Sequence, residues 1–546
     1  MRLVQSIIHL TPDPGGMPGS AGCGRPARRH SSMACLRWRC AALRVSLPCL
    51  AALLWLSPLA LRAATAPPPA ARPNIIFILA DDLRWDAMGC AGNPLLKTPQ
   101  LDRLAAAGTR FPNCFVTTAI CAVSRASILS GQFARRHGVN DFQKPIADFA
   151  HTYPVLLLQG GYYTGFIGKW GVAAHDSPEG YLQQCAAAFD YWAGDVRQTA
   201  YWHERSCNYI TNNGTTERSN FFCTCPPAGR ANDGCGPNGP NPALHDPVHA
   251  ETEFVPAKVH SFFEQRDTAK PFCLSVSLKA PHAPWQGYAP RFADDFRGAD
   301  IPRRDNVTLV EALRQPDFLR RSLESDHGLL LVKDDAERNR QFAQYYRLIE
   351  GLDFCVGEIM RELQQRGLSD NTVVVFTSDN GHFAGEHGFF GKWLMHEESL
   401  RVPLIIRDPR LTAERRGQVS QAMALNIDLA PTLLELAATA VPATMQGRSL
   451  LPLLRDPAAS WREDFFYEHL YRNSTTPPDR IEPSEGVRTR DWKYILWIDQ
   501  TGPLREELYD LRNDPFEMHN RAADPADREQ LEKLRLRHAR LRQQAL

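Results

Sequence analysis

The chain has 546 residues, of which 43% are hydrophobic and 23% charged, and its formal net charge is +1. These values are ordinary for a folded globular protein, and the near-zero charge gives no reason to expect a nucleic-acid partner or a charged membrane surface. No segment repeats at a fixed period, which argues against a solenoid or a propeller.

The first 66 residues are predicted to be an extension that ends in a signal peptide. Arginines between positions 37 and 44 precede an apolar run over 45–61, and Ala64–Ala66 has the form of a cleavage site. The apolar run is shorter than the roughly 20 residues that a membrane span needs, and two prolines interrupt it. We therefore expect export to the periplasm or out of the cell, with no stable membrane span. A retained anchor is the alternative.

Cysteines are concentrated in one irregular stretch, which is rich in Asn, Gly and Pro and belongs to an insert that we predict over residues 195–250. The four cysteines of this stretch are Cys207, Cys223, Cys225 and Cys235. In an oxidising compartment such a loop is held by disulfide bonds. A zinc site is the alternative, but Cys223 and Cys225 are spaced too closely for the usual pair of ligands.

Oxygen-bearing side chains follow two of the predicted buried strands. Continuous apolar, β-branched runs predict parallel strands over Asn74–Ala80 and Asn371–Thr377. In open α/β sheets, sites form at the carboxyl ends of such strands, and these oxygens suit a hard divalent cation. Solvated aspartates in ordinary turns are the alternative. The four side chains are Asp81, Asp82, Asp379 and Asn380.

Two further strands end in groups that can bind an anion or move a proton. The strand predicted over Tyr162–Gly168 is followed by Lys169, and the strand over Pro271–Leu278 by a loop in which prolines flank His282. These prolines restrict the backbone and hold the imidazole in place. Each residue alone fits an ordinary surface lysine or loop histidine equally well, so only their shared place at strand ends favours a site.

Helices are predicted between the strands. Thr98 and Pro99 are of the types that begin a helix, and a long amphipathic helix is predicted over Glu337–Arg366. Another helix begins near Cys121, so this side chain would lie at a helix N-terminus, with its free N–H groups and partial positive charge. A cysteine that only packs in the core is the alternative.

The order of these elements predicts an α/β fold with a large, mixed and mostly parallel central sheet flanked by helices. We assign the sheet to a catalytic domain over residues 67–440. Short strands and a charged terminal helix predict a smaller C-terminal α+β subdomain over residues 441–546. Three residues in and near this subdomain are predicted to contact substrate, and they are His387, His469 and Arg488.

From Pro73 almost to the C-terminus, the chain resembles the sulfatase family, the formylglycine-dependent type-I enzymes of the alkaline-phosphatase-like superfamily. The resemblance rests on separate segments that follow one another in the family's order. They are ADD at 80–82, TPQLDRLAAAGTRFPN at 98–113, CAVSRASILSG at 121–131, GKW at 168–170, APHAP at 280–284, SDNGHFAGEHGFFGKW at 378–393 and ELYDLRNDPFEMHN at 507–520.

This resemblance implies a sulfuric ester hydrolase that acts on a sulfated carbohydrate. In the family a formylglycine-generating enzyme converts the motif cysteine, here Cys121, to an aldehyde that hydrates. One hydroxyl then attacks sulfur, and the other releases sulfate. The resemblance also implies a Ca²⁺ site, with Mg²⁺ as the alternative ion. Its ligands would be Asp81, Asp82, Asp379, Asn380 and the modified Cys121.

The remaining roles that the resemblance implies concern charge and protons. Arg125 and Lys169 would stabilise the hydrate. His282 and Lys392 would bind the sulfate oxygens and help to protonate the leaving group. Physical chemistry favours this set, because a cation, an arginine and a lysine stabilise the negative charge that develops as the S–O bond breaks.

Two positions depart from the family pattern. Val123 stands where the signature has proline, which bears on recognition by the maturation enzyme. Gly171 stands where the family has a histidine that contacts the nucleophile, which predicts either a substitute, with His175 as the candidate, or slow release of sulfate. Two other functions therefore stay open: a phosphoester or phosphonate hydrolase on the same fold, and a non-catalytic protein that binds sulfated glycans.

Overall fold

The computed structural model describes residues 72–173, 181–195, 197–204, 235–236, 239–240, 246–323, 325–456, 458–472, 480–498 and 504–546. The predicted signal peptide, most of the cysteine-rich stretch and His175 lie outside these ranges. Within them, none of the helices combines the length and the apolar character that a membrane span requires.

An eight-stranded sheet forms the centre of the structure. Its strands are β1 (Asn74–Ala80), β2 (Thr109–Arg110), β3 (Tyr163–Lys169), β4 (Tyr191–Asp195), β5 (Phe272–Ser277), β6 (Thr372–Ser378), β7 (Leu404–Arg407) and β8 (Gln418–Val419). They lie in the order β8-β2-β7-β6-β1-β5-β3-β4. The five from β6 to β4 are parallel, whereas β7 runs antiparallel to β6 and to β2. This confirms the predicted mixed, mostly parallel sheet.

Helices cover both faces of this sheet because its central strands are apolar on both faces. In β1, Ile75 and Phe77 belong to one core, whereas Ile76 and Ile78 belong to the other. The α-helices are α1 (Pro99–Ala106), α2 (Cys121–Ser130), α3 (Ala134–His137), α4 (Tyr153–Gln159), α5 (Tyr181–Ala187), α6 (Val255–Gln265), α7 (Leu309–Arg314), α8 (Asp317–Arg320), α9 (Ser325–Lys333), α10 (Asp335–Gln365), α11 (Glu397–Leu400), α12 (Leu429–Leu436), α13 (Leu451–Arg455) and α14 (Arg528–Gln544).

Element boundaries near the site agree with the sequence predictions to within two residues. Cys121 is the first residue of α2, and Lys169 is the last residue of β3 instead of the residue after it. Thr98 is the N-cap residue of α1 and Pro99 is its first helical residue, as predicted, but the Thr98 side chain makes no capping hydrogen bond. Its hydroxyl accepts a hydrogen bond from the Gly89 N–H and donates one to Asp102, so it does not cap the backbone of the helix.

The smaller C-terminal α+β subdomain is confirmed, while its predicted boundary at residue 441 stays a prediction. Its sheet has four antiparallel strands in sequence order: β9 (Asp464–His469), β10 (Ser484–Thr489), β11 (Trp492–Trp497) and β12 (Arg505–Asp510). Leu531 and Leu534 of α14 pack on Val487 and Leu508 of this sheet. Two hydrogen bonds join Glu468 of β9 to the loop before Cys121, so the subdomain supports that loop.

One short three-stranded sheet and three short strand pairs complete the sheets of the described residues. They are Cys114–Phe115 with Arg401–Val402 and Ala424–Leu425, Phe383–Ala384 with Phe390–Gly391, Trp202–Glu204 with Pro247–His249, and Cys235–Gly236 with Gly239–Pro240.

Candidate active site

Four adjacent parallel strands bring the predicted site residues to one edge of the sheet. β6, β1, β5 and β3 are neighbours in that order, and each is followed by, or ends in, polar side chains that point to the same place. β1 supplies the two aspartates, β6 the Asp-Asn pair, β3 the lysine and the loop after β5 the histidine. The strand-end cluster consists of Asp81, Asp82, Lys169, His282, Asp379 and Asn380, joined by Arg125 of α2.

Asp81 is fully buried and surrounded by cationic groups. Its Oδ2 lies 2.5 Å from the Lys169 ammonium and 3.7 Å from an Arg125 nitrogen. Burial raises the pKa of Asp81, but the charges of Lys169, His282 and Arg125 together lower it by more. The pKa therefore lies well below its usual range. Asp81 is therefore a permanent anion.

Asp82 is held in the same way by a second lysine. Its Oδ1 lies 2.5 Å from the Lys392 ammonium, and its Oδ2 lies 3.6 Å from Nε2 of His282. Burial raises the pKa of Asp82, but Lys392 and His282 bring it down to about 2. The backbone of Asp82 has a φ of +67°, a conformation that non-glycine residues adopt mainly where function or packing demands it.

Asp379 differs from the two aspartates of β1. Arg125 Nε donates to its Oδ2 at 2.8 Å, and the Asp82 N–H donates to its Oδ1 at 3.2 Å. Burial and the negative charge of Asp81 nevertheless raise the pKa of Asp379 to about 7. Asp379 therefore binds a proton more readily than Asp81 or Asp82 does.

The strand-end cluster fits a divalent cation. Among the described residues, Asp81 Oδ1 and Asn380 Oδ1 are buried and have no hydrogen-bond partner, which is costly for polar atoms unless something else binds them. Asp81, Asp82 and His282 each offer an atom within 4.8 Å of the others. Carboxylate and amide oxygens are the ligands that Ca²⁺ and Mg²⁺ prefer. This adds His282 to the side chains that surround the predicted ion position.

Cys121 lies at the N-terminus of α2, 5% exposed. The N–H of Trp393 donates to the carbonyl of Ala119 at 3.3 Å, which fixes the loop before Cys121 against the segment that carries Lys392. Burial lowers the pKa of Lys392, but Asp82 and Cys121 raise it, and the net shift is upward. The sulfur is therefore within electrostatic reach of this lysine.

Gly171, which stands where the family pattern has histidine, has little space around it for a side chain. Its φ is +74°, and a Cβ atom there would lie 2.9 Å from Cδ of Arg125 and 3.1 Å from Cε of Lys169. A side chain at position 171 would therefore meet the two cations that hold Asp81. The substitution to glycine is matched by the local backbone and packing.

Gln198 is a site residue that the sequence reasoning missed. Its Nε2 donates to Oδ2 of Asp81 at 3.3 Å, beside the Lys169 ammonium. It comes from the start of the predicted insert, three residues after the end of β4. No periodicity or motif marks this glutamine, so only the fold reveals it.

The three predicted substrate-binding residues do not join the strand-end cluster. Arg488 pairs with Glu397 at 3.2 Å, and His387 Nδ1 lies 3.1 Å from Glu311. Both residues are buried, and their role as substrate contacts stays a prediction. His469 is fully buried, and its ring centroid lies 6.4 Å from that of Trp393.

Comparison with known proteins identifies the family. The family model for sulfatases matches residues 73–439, and the model for the C-terminal region of N-sulphoglucosamine sulphohydrolase matches residues 385–544. The chain is 30% identical to N-acetylglucosamine-6-O-sulfatase of Bacteroides thetaiotaomicron, over 82% of each chain. It is 28% identical to an arylsulfatase of Clostridium perfringens, over 85% of this chain and 93% of the relative.

Solved structures agree. A protein in complex with its substrate D-glucosamine-2-N,6-O-disulfate is 28% identical, with a TM-score of 0.69 over 87% of this chain and 98% of the other. The phosphonate monoester hydrolase of Agrobacterium radiobacter shares the fold, with a TM-score of 0.62 at 21% identity over 87% of this chain and 96% of the other. The chain belongs to the sulfatase family of the alkaline-phosphatase-like superfamily and is a sulfatase.

Proposed function

We propose that this sulfatase hydrolyses a sulfate ester of a sugar, with a formylglycine made from Cys121 as the nucleophile and a divalent cation, Ca²⁺ or Mg²⁺, at the strand ends. The observation that carries the proposal is the strand-end cluster, whose buried carboxylates pair with Lys169, Lys392 and Arg125. Arg125 belongs to α2, the helix that begins at Cys121. The similarity to N-acetylglucosamine-6-O-sulfatase, and to a protein that binds a sulfated glucosamine, supports a sulfated sugar as substrate.

The strand-end cluster would hold the cation through oxygens of Asp81, Asp82, Asp379, Asn380 and residue 121. When bound, the ion would withdraw charge from the sulfate oxygens. Lys392 would contribute a positive charge at the same oxygens, and Arg125 and Lys169 would stabilise the hydrated aldehyde. These cations are fixed before substrate binds, because each already has a buried carboxylate partner.

His282 is placed to move a proton. Its Nδ1 lies 2.7 Å from the Ala283 carbonyl, so the N–H lies on that nitrogen and Nε2 is left facing Asp82. Burial lowers the pKa of His282 to about 3, even though Asp81 and Asp82 oppose this shift. The imidazole is therefore uncharged near pH 7, so in this role it would have to gain a proton when the sulfate ester binds before it could pass one to the departing alcohol oxygen.

The test is hydrolysis of a sulfated N-acetylglucosamine, compared with the matching phosphate ester. We expect the wild-type enzyme to prefer the sulfate ester and Cys121→Ala to abolish turnover. Cys90→Ala is the matched control, because Cys90 is a half-buried cysteine outside the site and should keep full activity. Faster hydrolysis of the phosphate ester would favour the alternative phosphohydrolase, and full activity of Cys121→Ala would contradict the proposed nucleophile.

We also propose that the chain is exported and is matured by a formylglycine-generating enzyme. The support is the basic, apolar and small-residue pattern before residue 67, and the position of Cys121 in a signature-like segment. Val123 is the third residue of α2, is 1% exposed and packs in the core. The folded structure therefore has no requirement for proline there, and any such requirement lies with the maturation enzyme.

A further inference from the structure

Trp393 and Tyr471 form an aromatic pair next to Cys121 that none of the roles above uses. Their ring centroids are 6.3 Å apart, with an angle of 30° between the planes, and both side chains are half-buried. Burial raises the pKa of Tyr471, and the charges of Asp141 and Cys121 raise it further. The phenol is therefore within electrostatic reach of the nucleophile position.

The backbone of Trp393 is tied to both halves of the active site. Its N–H donates to the carbonyl of Ala119, two residues before Cys121. Its own carbonyl accepts a hydrogen bond from the Tyr467 hydroxyl at 2.8 Å. The preceding residue, Lys392, contacts Asp82 of the strand-end cluster. The indole therefore has a fixed position relative to the atoms that would bind the sulfate.

Trp393 adopts this position against its backbone preference. Its φ is +90°, in the left-handed region that favours glycine and is strained for a bulky residue. Such strain persists where the surrounding structure enforces it, and it collects at active sites and ligand-binding segments. Trp393 keeps this conformation although glycine would fill the position without strain and although its Nε1 is buried with no hydrogen-bond partner among the described residues, which indicates that the ring itself is used.

We infer that the aromatic pair is the surface that receives the alcohol part of the substrate, and that the alcohol it fits is a pyranose ring. This inference rests on the proposed function, since it places the group that the sulfate is bound to. A pyranose presents a flat face of C–H groups, which packs on aromatic rings, while its hydroxyls remain free for polar contacts. The pair is uncharged, so it suits a neutral sugar ring. A small acyclic alcohol would leave most of it uncovered.

The inference predicts a selective loss. Trp393→Gly removes the ring and also relieves the backbone strain, so the variant should fold. Its kcat/KM for a sulfated N-acetylglucosamine should fall by about tenfold or more, mainly through KM, because a stacking contact formed before the reaction is lost. Its kcat/KM for a small acyclic alkyl sulfate should stay within about twofold. Tyr471→Ala should show the same selectivity, and Trp393→Phe should recover part of the loss.

Trp461→Ala is the matched control. Trp461 is also half-buried and packs against the same core as Trp393 and Tyr471, but its indole is held by a hydrogen bond from Nε1 to the Met423 carbonyl. This variant should lower stability without changing the preference for the sugar ester. If Trp393→Gly changes both esters equally, or neither, the inference is overturned while the proposed function stands. If the wild-type enzyme hydrolyses neither ester, the proposed function fails, and this inference fails with it.

Discussion

The tripeptide Gly-Lys-Trp occurs twice in this chain, over 168–170 and 391–393. The glycine and the lysine have matching structural roles in the two copies, whereas the two tryptophans lie in different surroundings. Both glycines have positive φ, +98° and +85°. Both lysines lie 2.5 Å from one member of the aspartate pair, Lys169 from Asp81 and Lys392 from Asp82. In each copy, a glycine with positive φ is therefore followed by a lysine that pairs with one of the two neighbouring aspartates.

The tryptophans differ because their surroundings differ. Trp170 is 1% exposed and packs among Phe149, Phe166 and Trp192. Trp393 is half-buried and lies beside the Cys121 loop. The lysine has the same role in both copies because each copy lies where its lysine can reach one of the two aspartates. The role of the neighbouring side chain depends on what the rest of the fold places around it.

Removing either lysine should have the largest effect on catalysis. We expect Lys169→Met and Lys392→Met each to lower kcat by about 10²–10³-fold, because each removes a fixed positive charge from the site. Lys270→Met, at an exposed lysine that pairs only with Asp267, should leave the rate unchanged. Steady-state kinetics on a sulfate ester measures all three. A lysine variant that keeps most of its rate would break the proposed equivalence of the two copies.

Removing the two tryptophans should separate stability from specificity. Trp170→Ala leaves a cavity in the aromatic core and should cost about 3–5 kcal/mol of unfolding free energy. Trp393→Gly should cost less, because its ring is only partly buried and glycine accepts the backbone conformation. Denaturant unfolding of both variants tests this difference. Equal losses would show that Trp393 is an ordinary core residue.

Placing a side chain at position 171 should harm the enzyme. Gly171→Ala should cost about 1–3 kcal/mol of stability and lower activity, because its Cβ would crowd Arg125 and Lys169 at a positive φ. Gly171→His, which restores the family residue, should be no more active than Gly171→Ala. Higher activity of the histidine variant than of the wild type would instead show that the missing imidazole limits the rate.

Cation affinity should depend on pH through Asp379. Its pKa in the metal-free fold is raised to about 7 from 3.8, so between these values the folded state holds a proton that the unfolded state lacks, and this contribution to stability is lost as pH rises toward 7. A cation must displace that proton, so affinity for Ca²⁺ should rise by up to about tenfold per pH unit below about pH 7 and then level off.

Calorimetry in buffers of different ionisation enthalpy would count the released proton. Asp379→Asn should bind the ion more weakly and with little pH dependence. Affinity of the wild-type protein that stays constant from about pH 5 to about pH 7 would contradict the coupling between Asp379 and the ion.

Local pattern was enough to place the strands and the aspartates. β1 agrees with its predicted bounds because a run of apolar, β-branched residues ends abruptly in two acids. By contrast, the partner of Arg488 is Glu397, 91 residues away, and no local pattern distinguishes that buried ion pair from a substrate contact. Gln198 and the steric closure at Gly171 were likewise invisible, because both depend on which side chains the fold brings together.

The central claim is that Cys121 becomes an aldehyde that attacks sulfate esters. Mass spectrometry of the peptide that contains Cys121, from protein made in a host with a formylglycine-generating enzyme, tests this most directly. We predict an aldehyde in place of the thiol, at a fraction that tracks specific sulfatase activity across preparations. An intact thiol in protein that hydrolyses sulfate esters at full rate would contradict the account.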